Sequence, residues 1–254
     1  MAAGGVLVLR SEDLDAKRFR LDFADAMLED LRWFGFRWQE GPDCGGPHGP
    51  YAQSQRGDFY RAALEKLRRG GWIYPCRCSR GDVLRALQAP HAGEEEPVYP
   101  GTCRPAPGTI FDGGETSRVN WRFRVPDGEV ITFVDGSCGL QRFQAGEEFG
   151  DFVVWRHDDV PAYQLSVVVD DAAMRITEVV RGEDLLVSTA RQLLLYRALE
   201  LAPPTFYHCA LMKDESGVRL AKRHDALSLR RLRAQGYSPG ALRDSWKPAL
   251  KGAS

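Results

Sequence analysis

The sequence predicts an α/β protein in which a small, mainly β insertion separates two α/β halves. The stretch 161–200 is the first observation behind this prediction. Its continuous apolar run, 165–169, is typical of a buried strand, and the β-branched run 176–180 predicts a second strand. A helix capped by Ser188 or Thr189 follows. Strand, polar turn and helix in this order are typical of the α/β crossover unit, and ligands bind where such strands end.

The N-terminal half is the second observation. The run 6–9 predicts a short strand, and two amphipathic helices follow it. The first helix ends at Gly35, and the second covers 55–69. Glu12 lies between the strand and the first helix, so it is either an acid at a helix entry or a ligand for a small cation. Taken alone, it favours the helix-entry role. The apolar positions of the first helix are Phe19, Phe23, Met27, Leu31 and Phe34.

Short alternating segments between 72 and 162 are the third observation. The segment 118–125 alternates between apolar and polar residues, and the runs 130–134 and 152–156 predict further strands. A last strand is predicted at 206–212. We therefore predict the first part of the α/β domain at 1–71, the insertion at 72–162, the second part at 163–227 and a basic helical tail at 228–254.

Cysteines within the insertion predict a metal site. Cys76 and Cys78 form a Cys-x-Cys pair, and Cys103 follows after a polar spacer. Three thiolates suit zinc, which needs one more ligand, and the stretch has little core of its own. The fourth ligand is either the phenolate oxygen of Tyr99 or an imidazole nitrogen of His91. The alternative is that these cysteines are reduced residues of a core.

Composition limits the functions open to the chain. With 254 residues, 43% of them hydrophobic and 27% charged, it is an ordinary globular sequence that can bury a full core. A formal net charge of -1 gives no global attraction to nucleic acid, so any RNA contact would come from local patches. No apolar run is long enough for a membrane span, and six cysteines favour metal binding over a disulfide scaffold. We predict a cytoplasmic protein.

A basic loop near the C-terminus completes the set of candidate residues. Its sequence is RLAKR, at 219–223, and spaced lysine and arginine side chains suit the phosphates of a nucleoside triphosphate. A solvated loop has the same composition, so the loop alone does not identify a nucleotide site.

Several motifs in a fixed order resemble one family over nearly the whole chain. The chain resembles the catalytic core of the glutamyl-tRNA synthetases, which are class I aminoacyl-tRNA synthetases. It is most similar to their truncated branch, the glutamyl-Q tRNA(Asp) synthetases. The motifs are VLRSEDLD around Glu12, PCRC and YPGTC, PAYQLSVVVDD, EVVRGEDLLVSTARQLLLYRAL, FYHCALMKDESG and the RLAKR loop.

The resemblance implies a Rossmann-like catalytic domain and assigns roles to individual residues. It implies that Glu12 holds the α-ammonium of glutamate, that Tyr163 and Arg181 form the amino-acid pocket, and that Arg181 pairs with the side-chain carboxylate. It also implies a structural zinc site that includes Tyr99 rather than His91. The implied zinc ligands are Cys76, Cys78, Tyr99 and Cys103. The implied ATP-binding loop is Arg219, Leu220, Ala221, Lys222 and Arg223, with Lys222 stabilising the phosphates catalytically.

The resemblance further implies a reaction and its partners. Members of the glutamyl-Q branch activate glutamate with ATP and Mg²⁺ and transfer it to queuosine in the anticodon of tRNA(Asp). We expect the protein to be a monomer. The sequence departs from the family in two ways. It does not contain the family's N-terminal signature segment, which carries the first strand of the sheet, and Ala221 replaces the usual serine. We therefore expect weak or no adenylation from this sequence as it stands. The alternatives are a non-catalytic RNA- or amino-acid-binding relic and a fragment of a standard glutamyl-tRNA synthetase.

Overall fold

The computed structural model describes residues 4–15, 20–79, 81–83, 98–111, 118–211 and 228–251. The chain divides into two compact units. The first comprises 1–55, 182–184 and 209–254, and the second comprises 56–181 and 185–208.

Helices form the core of the first unit. Helix α1, Leu21–Phe34, ends at Gly35, whose φ of 104° is a left-handed conformation that glycine adopts without steric cost. The helix from Phe23 to Phe34 and its end at Gly35 are as predicted, whereas Phe19 lies outside the described residues. Helices α2, Gly57–Arg69, and α3, Tyr163–Ala173, belong to the second unit, as does α4, Leu186–Ala198. Helices α5, Leu229–Ala234, and α6, Pro239–Lys251, complete the first unit.

A small apolar cluster holds α1, α5 and α6 together. Its buried members are Phe34, Leu232 and Leu242. The guanidinium of Arg243 donates to the carbonyl of Phe34 at 3.0 Å, which satisfies one of the carbonyls left open at the end of α1. The predicted basic tail is therefore helical, in line with the sequence.

The strand predicted at 6–9 is wrong. The segment makes only isolated parallel bridges to the loop beyond α1, Val8 to Glu40 and Ser11 to Ala52. Val6 and Leu7 are 64% and 42% exposed. A β-branched run predicts a strand because such runs are usually half-buried, and these side chains are not.

An antiparallel sheet organises one part of the second unit. Its strands are β1, Ile73–Cys76, β2, Asn120–Phe123, and β5, Phe152–Trp155, in the order β1-β2-β5. Stacked aromatic rings pack along it, with Phe123 between Trp72 and Phe152 at centroid distances of 6.1 and 5.3 Å. The predicted segments at 118–125 and 152–156 are confirmed as strands, whereas β1 was not predicted.

A second sheet carries the candidate site. It consists of β3, Val130–Asp135, β4, Gly139–Gln144, β6, Glu178–Gly182, and β7, Thr205–Cys209. The strand order is β4-β3-β7-β6, with β3 and β7 parallel. The sequence predicted β3, β6 and β7 to within a few residues and missed β4, which begins at a glycine and shows no clear alternation.

The strand predicted at 165–169 is also wrong, because these residues form the middle of α3. Every residue from Leu165 to Asp171 is buried. A continuous apolar run fits a helix buried on all sides as well as it fits a buried strand, and periodicity cannot separate the two. Helix α4 begins at Leu186, so Ser188 and Thr189 lie inside it and cap nothing.

Candidate functional site

Arg181 lies near the end of β6, and its side chain is held by neutral acceptors from two other elements. Its Nη2 donates to Thr189 Oγ1 at 2.7 Å and to Gln192 Oε1 at 2.9 Å, both on α4. Its Nε donates to His208 Nε2, on β7, at 3.1 Å. Burial lowers the pKa of Arg181, although the nearby Tyr163 and Asp171 act in the opposite direction. A guanidinium nevertheless keeps its charge in proteins, so the site presents a fixed cation.

Behind Arg181, a buried carboxylate supports His208. His208 Nδ1 lies 2.6 Å from Asp135 Oδ2, and both side chains are fully buried. Asp135 Oδ1 accepts from the backbone N–H groups of Ser137 and Cys138, at 2.9 and 2.8 Å. Burial raises the pKa of Asp135, but these hydrogen bonds and the one to His208 outweigh it and hold the pKa below its usual range. Asp135 is therefore a carboxylate at neutral pH.

Sequence reasoning missed Asp135, His208 and Gln192. Asp135 looked like a turn residue after a strand, and His208 was one polar position within a strand. Asp135 and His208 are ionisable residues within largely apolar strands, and such residues are rarely buried without a partner. That pattern could have indicated that each has a polar partner.

Helix α3 contributes two side chains to the same region. Tyr163 is its first residue, is 39% exposed, and lies close enough to Arg181 to raise the pKa of that guanidinium. Gln164 Oε1 accepts from Gln192 Nε2 at 2.9 Å, and Gln164 Nε2 donates to Ser188 Oγ at 3.0 Å. Gln192 is thus oriented so that its oxygen faces Arg181. The structure brings Tyr163 and Arg181 together within the second unit.

Glu12 lies in the first unit, on a segment fixed by its neighbours. Its side chain is 48% exposed and pairs with Arg10 at 3.4 Å. On one side, Ser11 donates its backbone N–H to the carbonyl of Tyr51 at 2.8 Å. On the other, Asp13 accepts from the backbone and hydroxyl of Ser54 at 2.8 and 2.6 Å. The backbone at Glu12 is therefore held from both sides, while its carboxylate faces solvent.

The loop predicted to bind ATP, Arg219, Leu220, Ala221, Lys222 and Arg223, lies outside the described residues, and so does His91.

The predicted metal-binding cysteines come together in the insertion. Cys76 ends β1, and the sulfurs of Cys76, Cys78 and Cys103 all lie within 4.8 Å of one another. The hydroxyl of Tyr99 is 3.3 Å from the sulfur of Cys76 and 3.6 Å from that of Cys78. The sulfurs of Cys78 and Cys103 are 3.5 Å apart. Four donor atoms thus surround one point.

The spacing of these donors fits zinc. A tetrahedral zinc ion with sulfur at about 2.3 Å and oxygen at about 2.0 Å separates two sulfurs by about 3.8 Å and sulfur from oxygen by about 3.5 Å. Arg122 Nε donates to the sulfur of Cys76 at 3.3 Å, which favours a thiolate there, whereas burial raises the pKa of Cys78. The Arg122 guanidinium also lies 3.9 Å from the centre of the Tyr99 ring. Burial raises the pKa of Cys103, but hydrogen bonds from the Arg77 backbone and from Tyr99 outweigh it and lower the pKa to about 7.

Comparison with known proteins gives a consistent result. The family described as tRNA synthetases class I (E and Q), catalytic domain, matches residues 1–246. A glutamyl-Q tRNA(Asp) synthetase of Symbiobacterium thermophilum is 51% identical over 242 residues, covering 93% of this chain and 74% of that protein. One of Nitratidesulfovibrio vulgaris is 49% identical over 240 residues, covering 92% and 72%.

A solved structure shows the same similarity. The crystal structure of glutamate-tRNA synthetase from Elizabethkingia anophelis matches 89% of this chain with a TM-score of 0.74 and 28% identity, and this chain spans 48% of that one. No helix in the described part of the chain combines the length and the apolar character that a membrane span requires.

Proposed function

The chain belongs to the class I tRNA synthetases for glutamate and glutamine, and on this premise we propose that it activates glutamate with ATP and transfers the glutamyl group to queuosine in the anticodon of tRNA(Asp). The catalytic domain of this family is a mixed α/β fold, in agreement with the predicted fold class. The predicted family membership is therefore confirmed.

The half-buried, hydrogen-bonded guanidinium of Arg181 is the observation that carries the choice of glutamate. Thr189, Gln192 and His208 accept its hydrogen bonds as neutral groups, while Tyr163 and Asp171 also stabilise its positive charge. A substrate carboxylate would add charge-assisted hydrogen bonds to this guanidinium, and such bonds are about twice as strong as neutral ones. A substrate amide does not, so the pocket favours glutamate over glutamine.

Binding the side-chain carboxylate at Arg181 leaves the α-carboxylate to react. The α-carboxylate oxygen attacks the α-phosphorus of ATP, and pyrophosphate leaves. The acceptor hydroxyl of the tRNA then attacks the acyl carbon of the adenylate, an ester bond forms, and AMP leaves as the hydroxyl proton is lost. Catalysis by this chain is mainly positioning and charge stabilisation. Glu12 is the proposed partner of the α-ammonium and Lys222 that of the phosphates, and Mg²⁺ would enter with ATP as part of the substrate.

Zinc has a structural place in this proposal. Cys76, Cys78, Cys103 and Tyr99 would hold the ion, as their donor spacing supports. Bound zinc would add folding free energy to the apolar cluster that these residues form with Tyr74 and Val83. It would fix the end of β1 to the segment 99–103.

The choice of queuosine as acceptor is supported by the names of relatives. The proteins at 51% and 49% identity are named glutamyl-Q tRNA(Asp) synthetases. A relative of Halorhodospira halophila at 42% identity is named a glutamate–tRNA ligase, and this chain covers 50% of it.

Glutamate-dependent exchange of pyrophosphate into ATP tests the activation step. The proposal requires measurable exchange by the purified chain, in place of the weak or absent adenylation expected from the sequence. Arg181→Ala should lose about 100-fold or more, because removing one side of a hydrogen-bonded charge pair in the bound complex is costly. Arg197→Ala is the matched control, since Arg197 forms an exposed pair with Glu129 and should leave exchange unchanged. Exchange that survives Arg181→Ala, or no exchange from the folded wild type, would overturn the proposal.

Transfer of labelled glutamate tests the acceptor. We expect labelling of queuosine-containing tRNA(Asp), including a form that lacks its 3′-terminal adenosine, and no labelling of the same tRNA without queuosine. Labelling of tRNA(Glu) at its 3′ end would identify a standard glutamyl-tRNA synthetase activity instead. Binding without any transfer would indicate a relic.

A further inference from the structure

We propose that Asp135 and His208 form a positioning pair that fixes the guanidinium of Arg181 by allowing only one tautomer of His208. The inference rests on the proposed function in so far as Arg181 binds the side-chain carboxylate of glutamate. Neither residue touches the substrate in this proposal. Their effect reaches the substrate through Arg181.

The three residues lie in a row across neighbouring strands. Asp135 ends β3, His208 lies in β7 and Arg181 in β6, and these strands are adjacent in the order β3-β7-β6. The distances along the row are 2.6 Å from Asp135 Oδ2 to His208 Nδ1 and 3.1 Å from His208 Nε2 to Arg181 Nε. The row is thus continuous from a buried carboxylate to the predicted substrate ligand.

Proton counting allows one arrangement of this row. Arg181 Nε carries a hydrogen and can only donate, so His208 Nε2 must offer its lone pair. The carboxylate of Asp135 can only accept, so His208 Nδ1 must carry the proton. His208 is therefore a neutral imidazole with its hydrogen on Nδ1. Thr189 Oγ1 also lies 3.1 Å from His208 Nε2, and its hydroxyl can share this lone pair. A hydrogen on Nε2 could reach Thr189, but it would face Arg181 Nε–H at 3.1 Å and remove the acceptor of that group.

The backbone around Asp135 keeps the carboxylate in this state. Its Oδ1 accepts from the N–H groups of Ser137, Cys138 and His208, at 2.9, 2.8 and 3.2 Å. These donors hold the pKa of Asp135 below its usual range, although burial acts against them. The carboxylate is thus oriented as well as charged, with Oδ2 left for the imidazole.

The pair also sets the charge that a substrate meets. A neutral His208 leaves Arg181 as the cation among the groups that hold it, with Thr189 and Gln192 as neutral acceptors. The surrounding groups that act on Arg181 are Tyr163, Asp171 and Tyr196. Displacing Arg181 should therefore weaken the preference for a carboxylate over an amide rather than abolish ATP binding.

Asp135→Asn reverses the hydrogen-bond direction with little change in shape. The asparagine oxygen must still accept from the backbone of Ser137 and Cys138, so its NH₂ group faces His208 Nδ1. His208 must then accept at Nδ1 and carry its hydrogen on Nε2, against Arg181 Nε–H. We expect KM for glutamate to rise by about tenfold to a hundredfold, the range for one lost hydrogen bond to a charged group. KM for ATP should change little, and discrimination between glutamate and glutamine should fall. Ser137→Ala is the control, because the backbone N–H that it retains is the group that holds Asp135.

A spectroscopic measurement on the full chain tests the tautomer without using activity. With ¹⁵N-labelled histidine, assigned by comparison with His208→Gln, wild-type His208 should show a protonated Nδ1 and an unprotonated Nε2. Asp135→Asn should reverse the two, and the Arg181 Nε–H resonance should lose its protection from exchange with water. The wild-type spectrum stands even if a variant fails to fold.

The outcomes separate this inference from the proposed function. A wild-type imidazolium, a wild-type proton on Nε2, or a reversed tautomer that leaves Arg181 Nε–H protected would each overturn the positioning pair. So would a reversed tautomer with an unchanged KM for glutamate. If the wild type shows no glutamate-dependent exchange, the proposed function fails, and the tautomer together with the Arg181 resonance still decides whether the pair positions the guanidinium.

Discussion

The phenolic oxygen of Tyr99 can be removed while its ring stays in place, which makes Tyr99→Phe a direct test of the proposed fourth zinc ligand. The oxygen lies 3.3 and 3.6 Å from two of the three sulfurs, at the separation expected for ligands of one ion. The ring packs against the guanidinium of Arg122 at 3.9 Å, and phenylalanine preserves that contact. The substitution therefore removes one donor atom and the hydrogen bond that it accepts from the Cys103 backbone, and leaves the ring contact in place.

The expected loss of zinc affinity follows from the size of structural zinc sites. Such sites contribute about 10–16 kcal/mol, or about 3 kcal/mol for each of four ligands. An oxygen ligand contributes less than a thiolate, so we expect Tyr99→Phe to cost about 1.5–3 kcal/mol and to weaken zinc binding by about tenfold to a hundredfold. Cys76→Ser should cost more, because it replaces a buried thiolate that also accepts from Arg122.

Competition with a coloured zinc chelator measures this affinity, and the zinc content of each purified variant gives the stoichiometry. His91→Ala is the matched comparison, because His91 is the other candidate for the fourth ligand. Wild-type affinity in Tyr99→Phe together with weakened binding in His91→Ala would refute the assignment of Tyr99. Since Tyr99 also accepts from the Cys103 backbone at 2.9 Å, thermal unfolding without metal should be measured separately.

Three further predictions concern stability. Asp170→Asn should lower the free energy of unfolding in urea by about 3–5 kcal/mol, because it removes the charge that pairs with the buried Arg56 at 2.6 Å. Glu129→Gln, in an exposed pair, should lower it by less than about 1 kcal/mol, and equal effects of the two substitutions would contradict this reasoning. Gly182→Ala should lower the free energy of unfolding by about 1–3 kcal/mol in the same assay, because the added Cβ would lie 2.5 Å from Asp184 Oδ1 and 3.0 Å from the Leu211 side chain. Gly57→Ala is the control and should not lower it, since a Cβ at Gly57 meets nothing within 4 Å. The pKa of Asp135 is depressed on folding, so its contribution to the free energy of unfolding should be complete above the unfolded pKa of about 3.9 and be lost as the pH falls further. The difference in free energy of unfolding between the wild type and Asp135→Asn should therefore narrow below about pH 4. A difference that stays constant down to about pH 2.5 would contradict a depressed pKa.

Local patterns in the sequence were sufficient for the elements with clear periodicity. The helix that ends at Gly35 has apolar residues at helical spacing, and the strand around Trp121 alternates, so both were predicted correctly. The three cysteines that were predicted to meet do so, because Cys76 and Cys78 are two positions apart and metal spacing is itself a local signal.

The support behind Arg181 could not be predicted in the same way. His208 and Asp135 are 73 positions apart in the chain and meet because β3 and β7 are neighbours in the sheet. Strand order is set by long-range packing, which no local pattern encodes. The sequence therefore indicated Arg181 through family resemblance and gave no reason to connect it with Asp135.

The wrong strand prediction at 165–169 bears directly on this pocket. The predicted strand began at Leu165 and left Tyr163 and Gln164 in the turn before it, and nothing in that prediction makes the two side chains serve one site. At the start of a helix they do, because Gln164 orients Gln192 while Tyr163 lies near Arg181. The helix forms despite its β-branched residues because it is buried and because Asp170, near its end, is held by Arg56 and by Tyr60 at 2.6 and 2.9 Å. Tertiary contacts thus override local propensity here, and the resulting helix carries Gln164, which orients the Gln192 side chain that accepts from Arg181.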